Sequence, residues 1–229
     1  NLPIDIAKNL GADIVIGINV SPLRKDVSEI NNVFDVLTQS ILLGYEDDDT
    51  YYYLGKAYNN IDKKKQALES FQMAVKLAPE NGKSHFELGV IYESIFKLEK
   101  ALTEYDIARK YINSDQLNYN YGCLLYNQDN FQEALEPLRS YIINNPHDYD
   151  VLEILGNVFI QQNRYSEAID TYIRLIDEFP NQEIYYKNIA DSYYALQNYT
   201  QAKIYYMEVL SYNEENPEIL FILGKISNI

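Results

Sequence analysis

The chain has 229 residues, with 34 Asp and Glu against 19 Lys and Arg, a net charge of −15 and one cysteine. That charge excludes a nucleic-acid phosphate backbone as main partner, which needs clustered Lys and Arg, and disfavours an anionic membrane surface. It suits a soluble protein or a basic partner, and the lone Cys123 excludes an intrachain disulfide framework.

The first apolar run, Ile14 to Ile18, is too short to span a bilayer, and no basic start followed by an apolar core marks a signal peptide. The chain opens at Asn1 without an initiator Met and stops inside a repeating pattern. It therefore reads as a fragment of a longer protein, in which missing targeting signals decide nothing about compartment; the cytoplasm is the expectation.

Residues 1–45 stand outside the repeating pattern. Pro3 to Asn9 predicts a short helix stopped near Gly11. Ala12 to Val20 is an apolar, β-branched run that predicts a strand buried on both faces. Ser21-Pro22 breaks it, and Val27, Ile30, Phe34, Leu37 and Ile41 then make one stripe on a helix over 26–43. Asp26 and Glu29 fall in its first turn, where the helix dipole favours negative charge. The expectation is a small α/β remnant of one strand and two helices, the second helix able to cap the first repeat.

Asn1, Pro3, Ala7, Leu10-Gly11-Ala12-Asp13, Val15-Ile16 and Ser21, with Gln39-Ser40 on the later helix, resemble the C-terminal part of the catalytic domain of bacterial patatin-like phospholipases. The resemblance covers about the first fifth of the chain. It implies a parent that hydrolyses lipid acyl esters with a Ser–Asp dyad, the Ser in a Gly-x-Ser-x-Gly elbow and the Asp in an Asp-Gly-Gly motif just upstream of Asn1. No Ser of this chain is flanked by glycines two residues away on both sides, so the chain as given lacks nucleophile and partner and is expected to be no enzyme.

Glu46-Asp47-Asp48-Asp49-Thr50 carries four acids but lacks the central Gly and terminal Glu of a calcium loop. It reads as an acidic N-cap at a helix start.

From there one frame returns to the end. Gly55 is answered by Gly89, Gly122, Gly156, Ala190 and Gly224, at intervals of 34, 33, 34, 34 and 34, and a second small residue recurs as Ala67, Ala101, Ala134, Ala168 and Ala202. Two independent positions on one period make a repeat array. The repeats are set at 48–81, 82–114, 115–148, 149–182 and 183–216, with a half repeat at 217–229. Each predicts two helices. The first carries the small residue and, three on, Tyr58, Tyr92, Leu125, Phe159 or Tyr193. The second carries its alanine and, one turn on, Phe71, Tyr105, Leu138, Tyr172 or Tyr206. Large against small predicts interdigitating helices. Pro79, Pro146 and Pro180 close three repeats.

These residues resemble the tetratricopeptide repeat over about four fifths of the chain, although the aromatic usual near the start of the first helix is only partly kept (Tyr51, His85, Asn118, Leu152, Tyr186). The resemblance implies a mostly α fold, a right-handed solenoid of antiparallel helix pairs over 46–229. It also implies an extended peptide or partner helix lying along a concave groove lined by the first helices. Carried over position by position, the groove falls chiefly on Tyr52, Lys56, Asn59, Phe86, Tyr119, Tyr126, Asn157, Lys187 and Tyr194, with Asn60, Glu93, Cys123, Glu153, Gln161, Asp191, Phe221 and Lys225 beside them. Aromatic rings offer flat contact at low entropy cost, and Asn both donates to and accepts from peptide backbone. The matched Lys, Asn and Arg set of the chaperone-binding relatives is present only in scattered elements.

Other motifs lead nowhere. Gly82-Lys83-Ser84 imitates the end of a phosphate loop without the earlier Gly or a preceding strand. His85 and His147 lie in different repeats with no Cys/His cluster, so neither metal nor cofactor is expected. Asn198-Tyr199-Thr200 fits a glycosylation acceptor, a common chance match, and the 23 tyrosines are mostly packing residues at helical spacing. The expected function is a scaffold that binds a peptide or partner protein, a basic one suiting the charge. The alternative is a recruiting arm of a lipid acyl hydrolase. Self-association is a further expectation, through an apolar face on the half repeat at Ile219, Leu220, Leu223 and Ile226.

Overall fold

A computed structural model describes residues 46–227 and, ahead of them, Leu37, Thr38, Ile41, Leu42 and Gly44. Leu37–Thr38 and Ile41–Leu42 are helical. The predicted helix at 3–9, the strand at 12–20 and most of the helix at 26–43 lie outside the described residues, and with them the whole α/β remnant. Among the described residues there is no strand.

What the structure shows is a run of helices, α1 (Asp48–Asn60), α2 (Lys64–Leu77), α3 (Gly82–Ser94), α4 (Leu98–Tyr111), α5 (Asp115–Asn127), α6 (Phe131–Asn144), α7 (Tyr149–Gln161), α8 (Tyr165–Glu178), α9 (Glu183–Ala195), α10 (Tyr199–Tyr212) and α11 (Pro217–Ile226). They fall into two compact units that divide between Asn113 and Ser114. The first holds the hairpins α1–α2 and α3–α4. The second holds α5–α6, α7–α8 and α9–α10, followed by α11.

Most first helices of the hairpins begin at a side-chain cap. Asp47, Asn81, Ser114 and Asp148 each accept from the backbone N–H three residues on, and Asn216 does the same for α11. These caps satisfy donors that a helix start leaves orphaned. The acidic stretch at 46–50 is such a cap, with Thr50 N–H 2.7 Å from the Asp47 carboxylate.

Each hairpin turns through one residue of positive φ: Asp62, Phe96, Asp129, Asn163 and Gln197, between 56° and 59°. The following N–H reaches back five residues, as Lys63 to Tyr58 at 2.9 Å and Arg164 to Phe159 at 2.8 Å. The turn residue's own N–H reaches back three, as Asp62 to Asn59 at 3.0 Å. This paired bonding is the Schellman stop, usually made with glycine. Here it is made five times without one.

Within each hairpin the small residue of the first helix receives the large residue of the second. A Cβ at Gly55 would stand 2.7 Å from the Phe71 ring, one at Gly122 2.7 Å from Leu138 Cγ, and one at Gly156 2.7 Å from Tyr172 Cζ. Phe71, Tyr105, Leu138 and Tyr172 are fully buried. At about 1.5–3 kcal/mol for each such side chain, these contacts are the core of every hairpin. Ala190 takes the same place opposite Tyr206 and tolerates its own Cβ. α6 runs through Pro137, which is buried and has no N–H to give the preceding turn.

The last helix corrects one expectation. Ile219 and Ile226 are buried in the cluster formed with α10, and Leu223 is half-buried against it. The exposed apolar residues of α11 are Leu220 and its neighbour Phe221, 64% exposed, with the Lys225 ammonium 4.4 Å from its ring centre. The stripe at 219, 223 and 226 is thus the inward face, because steps of three and four put those residues on the side that meets α10.

Candidate functional site

The first helices of successive hairpins lie side by side within each unit, cross-linked by polar side chains. In the first unit Tyr52, Lys56 and Asn59 share a face of α1 through steps of four and three. Lys56 Nζ donates to Glu87 Oε1 on α3 at 2.6 Å, and the Glu87 side chain is only 9% exposed. Burial pushes the Tyr52 hydroxyl up to about 12, with Glu87 adding to it. Lys56, Tyr52 and Glu87 therefore form one group. Asn59 is half-buried one turn on. Phe86 stands next to Glu87 in sequence, with its ring 5.9 Å from Tyr105.

In the second unit Tyr119, Asn157 and Lys187 occupy corresponding faces of α5, α7 and α9, all half-buried. The Tyr119 ring lies 5.2 Å from Tyr141. Asn157 Oδ1 accepts from the Tyr172 hydroxyl at 2.8 Å. Lys187 Nζ donates to Asp191 Oδ2 at 2.9 Å and stands 3.4 Å from Glu218 of α11. Tyr185 of α9 donates to Glu153 of α7 at 2.7 Å. Tyr126 and Tyr194 sit apart from these, near the hairpin turns, against Phe131 and Tyr199. Cys123 is half-buried on α5.

Buried tyrosines of the second helices, read from sequence only as packing residues, have a second part in this face. Tyr105, Tyr172 and Tyr206 pass beneath the small residues of the first helices. Their hydroxyls emerge beside Glu93, Asn157 and Asp191, bonded at 2.7, 2.8 and 2.6 Å. Burial foremost, then the Asp191 hydrogen bond and charge, holds the Tyr206 hydroxyl far above its ordinary value. At Tyr172 burial again leads, with Glu153, Tyr126 and Tyr185 adding against an Asn188 hydrogen bond that pulls the other way. Spacing alone does not mark these tethers, since Lys56 and Asn59 stand one and four places after Gly55 in the hairpin that carries Phe71 instead of Tyr.

The arrangement offers aromatic rings, an amide and a lysine among the carboxylates Glu153, Asp191 and Glu218, with several side chains fixed in place. Among the described residues no group of three or more His, Cys, Asp or Glu side chains is placed to hold a metal ion. No described helix is long and apolar enough to cross a membrane.

Family models described as tetratricopeptide repeat match residues 49–81, 119–183 and 184–216, together more than half of the chain. No curated protein matches in sequence. Among solved structures, YrrB, "a TPR protein with an unusual peptide-binding site", is similar at a TM-score of 0.64 and 16% identity, covering 81% of this chain and 96% of its own. A tetratricopeptide repeat protein from Parabacteroides merdae is similar at 0.56 and 18%, covering 98% and 85%. The MamA protein is similar at 0.54 and 21%, covering 75% and 94%. At these identities the likeness is one of fold. The matched residues begin at 49, so the resemblance of residues 1–45 to patatin-like phospholipases gains no support from these families.

Proposed function

We propose that this chain, which belongs to the tetratricopeptide repeat family, is a non-catalytic interaction module that takes a peptide or a segment of a partner protein on the faces of its first helices. Proteins of this family generally act as scaffolds for other proteins, and YrrB is described as having a peptide-binding site. The observation that carries the reading is the preorganised face of the second unit. There Asn157 and Asp191 are held by buried tyrosines, Lys187 is held by Asp191, and Tyr119 leans on Tyr141. Side chains already fixed lose little entropy when a ligand arrives. The carboxylates around Lys187, with the net charge of −15, favour a partner carrying basic residues.

Selection of a displayed peptide library on the intact chain tests this. Enriched peptides should bind saturably and lose affinity about tenfold or more with Tyr119→Ala and Asn157→Ala, as hot-spot side chains do, and Lys203→Ala on α10 should change nothing. An enriched set indifferent to both groove changes would refute it.

The match at Leu10-Gly11-Ala12-Asp13 supports a second reading, in which the repeats recruit partners for a lipid acyl hydrolase. Upstream sequence without Gly-x-Ser-x-Gly and Asp-Gly-Gly would remove it. Self-association through the exposed Leu220 and Phe221 is a separate proposal, which a constant monomer mass across concentrations in light scattering would overturn.

A further inference from the structure

Inside the second unit, at the turn between α6 and α7, a cleft of about 640 Å³ opens to solvent off the first-helix face. Tyr141, His147, Tyr149 and Phe179 supply the aromatic part of its wall, beside Asn144, Asn145 and Pro146. Tyr149 and Phe179 meet edge to face at 5.2 Å and 89°, His147 stands 6.2 Å from Tyr149, and Tyr141, packed on Tyr119, also lines the cleft. Its charged lining groups are Asp148 and Asp150. Asp148 Oδ2 accepts from the Tyr141 hydroxyl at 2.7 Å, and Oδ1 accepts from the Val151 N–H at 3.2 Å. Asp150 lies exposed in the first turn of α7.

The chemistry of this lining selects the ligand. The start of α7 would attract an anion, but Asp148 caps one of its donors and Asp150 adds a second negative charge there. The ends of α6 and α8 bring carbonyl oxygens and the negative ends of two helix dipoles to the same place. The carbonyl of Pro146 already accepts from Arg174 Nη2 at 3.1 Å, so its edge accommodates a guanidinium. The Asp148 hydrogen bond, burial and the charges of Asp148, Tyr119 and Asp115 push the Tyr141 hydroxyl up to about 12, the response of a phenol in a negative field. Burial and then Glu178 push the Tyr149 hydroxyl in the same direction, against the charge of Arg174. Aromatic faces beside fixed carboxylates bind a planar cation best, because a guanidinium stacks on a ring and forks to a carboxylate at once.

We propose that this cleft is a binding site for an arginine side chain of a protein or peptide partner, separate from the first-helix face. The guanidinium lies against Tyr149 and pairs with Asp150 at the rim.

The probe is a short Gly/Ser peptide with one central arginine, titrated into the intact, isotope-labelled chain and followed by NMR. The control is the same peptide with citrulline, which keeps the shape and removes the charge. The arginine peptide should give saturable shifts centred on residues 145–150 and 179, and the citrulline peptide none. Asp150→Asn, an exposed change that leaves packing intact, should weaken binding about threefold, the effect of one exposed ion pair. Tyr149→Ala should weaken it about two- to fivefold. Asn157→Ala should leave it unchanged, which separates this site from the first-helix face. Equal shifts with citrulline, shifts spread over the acidic surface, or an Asp150→Asn chain that binds as tightly as the original would overturn the proposal.

Discussion

At the scale of single residues the fold depends on small places meeting large ones. Gly156→Ala would put a methyl 2.7 Å from the buried Tyr172 ring, and overpacking of this kind costs about 1–3 kcal/mol, read as a shift in the urea midpoint. Gly224→Ala, whose Cβ would meet nothing within 4 Å among the described residues, should instead leave stability level or raise it slightly through helix propensity. His85 makes a pH prediction. The residue is 7% exposed, with Nδ1 2.6 Å from Glu104 Oε2 and Nε2 3.0 Å from the Pro79 carbonyl. Both partners accept, so both nitrogens must donate, which only the imidazolium does. Burial alone would lower its pKa, but the hydrogen bonds to Glu104 and Pro79 and the Glu104 charge raise it overall. A folded value above the unfolded one means the contribution is complete below the ordinary histidine pKa, about 6.5. It is then lost as pH rises through the folded value. The stability difference between the native chain and His85→Gln, taken from urea unfolding by circular dichroism, should therefore shrink from pH 6 to pH 9. The glycine and alanine places were legible because they recur on one period. The role of His85 was not, since nothing in sequence brings Glu104, 19 residues away, onto its ring.

At the scale of elements the hairpins close on a left-handed residue that sequence reasoning passed over, because none of the five is glycine. Asp and Asn tolerate that conformation, but a phenylalanine does so at a cost of about 1–2 kcal/mol. Phe96 stands there at φ 57° with its ring 87% exposed, so the ring returns almost no burial. Phe96→Gly should raise stability by about 1 kcal/mol, seen as a higher melting midpoint, and Asn163→Gly should give less. The helix pairs themselves could be read from apolar spacing and from the prolines after α2, α6 and α8. The orientation of α11 could not, because a stripe of Ile219, Leu223 and Ile226 reads the same whether it faces α10 or solvent.

At the scale of the whole molecule charge and repetition set what the chain can recognise. A net charge of −15 makes association with a basic partner fast at low salt. Affinity for an enriched basic peptide should fall several-fold between 50 mM and 500 mM salt as the charges are screened; an affinity flat across that range would argue for apolar contact alone. The likeness to the tetratricopeptide repeat was legible down to the first-helix positions proposed for ligand contact. The tyrosine tethers behind them were not, since the destination of a hydroxyl depends on how two helices are set against each other. The claim that a partner lies on the first helices is tested most directly by hydrogen–deuterium exchange of the intact chain with and without an enriched peptide. The account predicts that added protection falls on α5, α7 and α9, or on α1 and α3, around Tyr119, Asn157 and Lys187 or Tyr52 and Lys56. Protection confined to the second helices α6, α8 and α10 would contradict it.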